Sequence, residues 1–198
     1  MNSKTILIMV IVGIIAIAAV WGVSAYNSLV GQDEAVSTQW AQVQNAYQRR
    51  ADLIPNLVAT VKGYATHEQE TLTQVTEARA KATQATVSVS PDDLTPENIQ
   101  RVQQAQGELS QALGRLLMVR EAYPDLKANT NFLQLQDELA GTENRIATER
   151  NKFNEVAKEY NTSIRRFPRN IVASIAGFDK KAYFEADQDA QRAPQVQF

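Results

Sequence analysis

Cysteine is absent from all 198 residues, which excludes disulfides, thiolate nucleophiles and any lipid anchor that needs a thiol to acylate. Histidine is nearly as scarce. With His67 alone there is no second imidazole for a metal site, and the two Glu-x-x-His elements of a bundle di-iron centre are missing. Walker, dinucleotide and zincin fingerprints are missing too. A formal net charge of −2 gives no basic field for DNA or RNA. These shortages point away from an enzyme, a cofactor-binding protein or a nucleic-acid partner, and leave His67 as a solvent-exposed helix residue.

What the chain does have is one long apolar run. Residues Thr5 to Val23 carry no charge, and about 19 residues at 1.5 Å rise cover roughly the 30 Å hydrocarbon core of a bilayer. A cleaved signal peptide is the competing reading, with Lys4 as its positive flank and Val23-Ser24-Ala25 as a cleavage site. The run exceeds the roughly 7 to 15 apolar residues usual for such peptides, so an anchor is expected over residues 1–25. Lys4 lies on its N-terminal side, while the C-terminal flank carries Asp33 and Glu34 and no basic residue before Arg49. Positive-inside counting then puts the N-terminus in the cytoplasm and the rest of the chain outside the inner membrane.

After Tyr26 the apolar residues recur every three or four positions, through Leu29, Val36, Trp40, Val43, Tyr47, Ile54, Leu57, Val61, Tyr64, Leu72 and Val75. This is the stripe of an amphipathic helix. Pro55 interrupts it, yet the phase resumes nearly in register, which favours a kink over a break. Residues 86–95 read as a loop turned by Pro91-Asp92-Asp93, after which Thr95, Pro96 and Glu97 supply the N-cap, the N1 proline and the first-turn acid of a helix. That helix shows Ile99, Val102, Leu109, Leu113, Leu116 and Leu117 on one face and stops at Tyr123-Pro124. The last long helix carries Phe132, Leu135, Leu139, Thr142, Ile146, Phe153, Val156, Tyr160, Ile164 and Phe167, and ends at Phe167-Pro168. With no strand pattern and short links, the expectation is all-α: a transmembrane helix followed by an antiparallel four-helix bundle over residues 26–178. Residues 179–198 read as a tail, disordered or loosely docked from Asp187 onward.

Several segments together resemble the LemA family: DLIPNL at 52–57, EAYPDLKAN at 121–129, ELAGTENRI at 138–146, YNTSIRRFP at 160–168 and the closing GFDKKAYFEA. The resemblance covers nearly the whole chain. It implies a bacterial or archaeal envelope protein with one N-terminal transmembrane helix, a four-helix bundle and no catalytic role. It also implies that Pro55 marks a break between helices of roughly 26–52 and 55–86, followed by helices at 96–122 and 129–166, and this break is adopted over the phase argument. Family genes often neighbour those for an HtpX-type membrane metallopeptidase or a TPM-domain protein, which makes such proteins candidate partners beside membrane lipid and a second copy of the chain.

Two arginine-rich places are candidate sites. If the bundle runs up-down-up-down from the membrane, Arg49, Arg50 and Asp52 lie at its distal end, as helix-terminus caps or as a partner surface. Arg165, Arg166 and Arg169 precede the short apolar stretch Ile171, Val172, Ile175 and Phe178, which is too short to span a membrane. Beside a bilayer that stretch reads as an interfacial contact, and otherwise as the closure of the bundle core. The expected role is a non-catalytic assembly or docking platform, with a lipid-surface or envelope-stress element as the second reading. With Lys4 inside, a reporter fused at Phe198 should behave as extracytoplasmic. Protease added to right-side-out spheroplasts should digest the domain, and protection until lysis would reverse the orientation.

Overall fold

The computed structural model describes residues 2–185. Six helices follow one another: α1 (Ser3–Tyr64), α2 (Gln69–Val87), α3 (Pro96–Val119), α4 (Pro124–Lys127), α5 (Thr130–Arg165) and α6 (Arg169–Ala176). No strand occurs among the described residues, so the chain is all-α, as its periodicity predicts. Two side-chain caps form at helix starts. Thr95 Oγ1 accepts from the Asn98 N–H at 3.3 Å and Asn129 Oδ1 from the Phe132 N–H at 2.9 Å, satisfying N–H groups that the first turn leaves unpaired.

The dominant element is α1, a single helix of 62 residues. Its apolar run over 5–23 contributes nothing to the core, whereas Ala25, Leu29, Val36, Trp40, Val43, Tyr47, Ala51, Ile54, Leu57 and Val61 form one continuous buried stripe. The expected break at Pro55 does not occur. A proline at 55 cannot donate to the carbonyl of Ala51, four residues earlier. Arg79 of α2 supplies the missing donor, its Nε lying 2.6 Å from the Ala51 oxygen. The repair is external, and with Ala51 O paired the helix runs on to Tyr64, about three turns past the proline. The reversal falls instead at residues 65–68, and His67 sits exposed in that turn rather than on a helix.

Around α1 the bundle has two tiers in place of four equal rods. α5 runs antiparallel to α1, as Tyr64 meets Asn129, Arg50 meets Glu143 and Gln39 meets Glu149. The shorter α2 packs along the half of α1 farthest from the apolar span, and α3 runs from the nearer half, where it buries Ile99 and Val102, to that distal half. There Ile54, Leu57, Val61, Val75, Leu113, Leu116, Phe132 and Leu139 form a distal core. The nearer half holds a second core of Leu29, Val36, Trp40, Val43, Phe153 and Tyr160. Two residues counted in the stripes lie outside both. Tyr64 is exposed and its hydroxyl accepts from Asn129. Phe167 is 82 % exposed, because α5 ends at Arg165 and the extended backbone of Arg166 takes Phe167 out of helical phase.

The nearer core is closed by Phe178 and by residues 179–185, the start of the segment read as a tail. The Asn161 amide donates to the Lys181 carbonyl at 2.8 Å and accepts from its N–H at 2.9 Å, and Asn154 holds Phe184 in the same way at 2.8 Å both times. Seven residues of helix rise about 10 Å, and three residues of extended chain cover about the same length, so the two amides match the strap's repeat. Phe184 thereby stacks on Trp40, centroids 6.1 Å apart, and meets Phe153 edge-on at 5.4 Å. The packed domain therefore reaches Glu185, while the reading of Asp187 to Phe198 falls outside the described residues.

The helix repair predicts a coupling. Arg79→Ala strands a buried carbonyl and should cost about 1 to 3 kcal/mol. In a Pro55→Ala background the helix supplies its own N–H, so the same substitution should cost measurably less. Thermal melts of the four proteins in detergent measure the difference, and additive losses would show that Arg79 does not complete the helix.

Candidate functional site

The two cores meet at a polar layer built around Arg50. Its side chain is only 2 % exposed, and it falls in phase with the apolar stripe, three residues after Tyr47 and four before Ile54. One guanidinium nitrogen donates to Ser110 Oγ at 2.9 Å and to Glu143 Oε1 at 2.6 Å, and the other donates to the side-chain oxygen of Gln106. Gln106 in turn donates to Thr86 Oγ1 at 2.8 Å. The planar fork of arginine suits this task, since it offers donors in several fixed directions at once. Through these bonds α1, α2, α3 and α5 each place a group in one layer.

The candidate distal surface of Arg49, Arg50 and Asp52 is corrected accordingly. Because α1 continues to Tyr64, these residues lie midway along the bundle and neither cap a helix nor crown its far end. Arg50 is buried and committed to Glu143, whereas Arg49 is exposed and Asp52 accepts from Gln48 at 2.7 Å on the outer face.

Other buried polar groups also serve the fold. Gln39 donates to Glu149 at 2.8 Å, and that bond, with Lys152, holds the Glu149 carboxyl below its ordinary value against the opposing effect of burial. Burial pushes the Tyr160 phenol up, with Asp33 and Asp179 adding to the shift, and its hydroxyl donates to the Asp179 carbonyl at 3.0 Å. Lys181 pairs with Asp33 at 3.0 Å, tying the strap to α1. A cleft of about 470 Å³ between α1 and α2 is lined by Gln44, Gln48, Thr83, Thr86 and Val89 beside Tyr47, with no charged residue among its walls. No cluster of three acidic or histidine side chains positioned to hold a metal ion occurs among the described residues.

The second arginine cluster divides. Arg169 is half-buried and donates to Ser163 Oγ at 2.9 Å, while Val172 and Phe178 pack against the nearer core, so these three close the bundle. Arg165, Arg166, Ile171 and Ile175 face outward, and Phe167, which spacing had placed in the core, joins them. α6 bridges α5 and α1, and Phe178 meets Tyr26, centroids 5.7 Å apart, three residues beyond the apolar run. All of them therefore sit at the end of the bundle from which that run emerges.

A sequence profile of the LemA family matches residues 39–198, most of the chain and both tiers of the bundle. The chain belongs to the LemA family. Among its relatives are two magnetosome proteins, MamQ 1 and MamQ 2 of Paramagnetospirillum magneticum, each 27 % identical over 176 residues, which is 81 % of this chain and 64 % of the relative. Another is the protein LemA of Metamycoplasma hominis, 26 % identical over 162 residues covering 82 % of this chain and 69 % of that one. The chain thus spans somewhat under two thirds of the length of the MamQ proteins. The family match begins at Gln39, inside α1, and leaves the apolar run outside it while taking in Arg50, Gln106 and Glu143.

In this LemA family bundle, removing one member of the layer should strand the others. Glu143 is 40 % exposed, so water partly replaces it and Glu143→Ala should cost about 1 to 3 kcal/mol, below the 3 to 5 of a fully buried broken pair. Arg50→Lys should cost at least as much, since one ammonium cannot serve Ser110, Glu143 and Gln106 from one position. Melting followed by circular dichroism checks both, and unchanged midpoints would show that the layer is dispensable.

Proposed function

We propose that this chain is a single-pass membrane-anchored, non-catalytic platform that holds a rigid helical surface at a set height above one bilayer face. The observation that carries the reading is the unbroken course of α1 from the apolar run into both cores. A flexible tether would let a domain wander, whereas a continuous helix transmits position and tilt from the bilayer to the bundle. The polar groups at the centre support the non-catalytic part, because Arg50, Gln106 and Glu143 are committed to one another and to helix register. Relatives named as magnetosome proteins support a role tied to a cellular structure. The companions proposed are a second copy of the chain or a neighbouring membrane protein, such as an HtpX-type peptidase or a TPM-domain protein, in the cell membrane with the N-terminus on the cytoplasmic side.

Particle mass tests the reading. Full-length protein extracted in mild detergent should carry more protein mass than one 22.0 kDa chain, through self-association or a co-purified membrane protein. A particle holding a single chain and no companion, taken from membranes at native abundance, would overturn it.

A further inference from the structure

We infer that Phe167, Ile171 and Ile175, flanked by Arg165 and Arg166, form a foot that rests in the headgroup region of an anionic bilayer, the same bilayer that α1 crosses. The inference rests on the proposed anchoring and adds a second point of contact that fixes the tilt of the bundle. The three apolar side chains are 82, 51 and 83 % exposed, and they follow one another at intervals of four residues. On α6, positions 171 and 175 each lie two residues from Ala173, about 200° around a helix at 3.6 residues per turn. Ala173 is buried in the nearer core, so Ile171 and Ile175 point away from the bundle.

The occupant follows from position and charge. α6 bridges α5 and α1, and Tyr26, which touches Phe178, lies in the first turn beyond the apolar run, so the foot lies level with the edge of the hydrocarbon core. Among the described residues no acidic side chain pairs with Arg165 or Arg166, whereas Arg169 is engaged by Ser163. Large apolar side chains beside unpaired guanidinium groups are the chemistry of a helix lying in a membrane interface, with apolar groups among the upper acyl chains and cations among phosphates. A helix of eight residues is far too short to cross, so contact rather than insertion is the outcome.

Because the chain has no cysteine, a single introduced one carries a probe without background. Ser174→Cys is exposed on α6 and leaves the foot intact, and Met118→Cys, near the far end of α3, is the control. The full-length proteins, labelled with an environment-sensitive fluorophore, are reconstituted in vesicles of phosphatidylcholine and phosphatidylglycerol that contain brominated acyl chains. The label at 174 should be quenched about threefold more than the label at 118, and Ile171→Ser with Ile175→Ser should remove the difference. Raised salt, or Arg165→Gln with Arg166→Gln, should weaken it as headgroup attraction is screened or lost. Protein that floats with the vesicles but shows equal quenching at both positions overturns the foot and leaves the anchor standing. A label at 174 that is shielded yet unquenched by bromine assigns the patch to a second copy and also overturns the foot. Protein that fails to float overturns the anchoring and the foot together.

Discussion

The mutual register of the four long helices turns on one buried guanidinium. Arg50 enters the stripe of α1 where an apolar residue would otherwise stand, and both terminal guanidinium nitrogens find acceptors, while Nε has none among the described residues. Ser110, Gln106 and Glu143 answer from α3 and α5, and Thr86 extends the layer to α2. A slip of one helical turn in any of these elements would leave polar groups unpaired between two apolar cores, so the layer fixes the mutual register of four helices. Apolar contacts alone tolerate such slips more readily, because they are non-directional.

The same logic of satisfying groups from outside explains the length of α1. Proline removes one donor from a helix, and a helix with no neighbour at that point would bend or end. Here Arg79 stands in for the missing N–H, so a residue of α2 completes a bond of α1. The strap at 178–185 repeats the device at the other end, where two asparagine amides on α5 serve extended backbone as a neighbouring strand would. In each place the backbone's hydrogen bonds are closed by side chains of another element, and the bundle gains continuity that local propensity does not supply.

This economy bears on function. Long-range cooperation among α1, α2, α5 and the strap makes the domain one body joined without a linker to an apolar helix. Such a body conveys the orientation of its apolar helix to surfaces tens of ångströms away, as the platform proposed above requires. The chemistry-bearing residues that composition does provide, among them Arg50, Glu149, Lys181 and Tyr160, are occupied in holding the parts together.

Composition and periodicity by themselves determined the apolar run, the all-α class, the start of α3, and most of the two cores, because burial at helical spacing is a local pattern. They also contained Arg50's position, since the residue falls in phase between Tyr47 and Ile54, although its charge drew attention toward a surface. Tertiary structure alone decided the rest. Whether α1 passes Pro55 depends on Arg79, 24 positions away in sequence, whose arrival no local window reveals. Phe167 left the core because one extended residue at Arg166 changed its phase, and the closing segment entered the core because the spacing of Asn154 and Asn161 matches an extended strap. Periodicity reports which face of an element seeks burial, but the partner that repairs a helix, ends it or covers it is fixed only when distant residues meet.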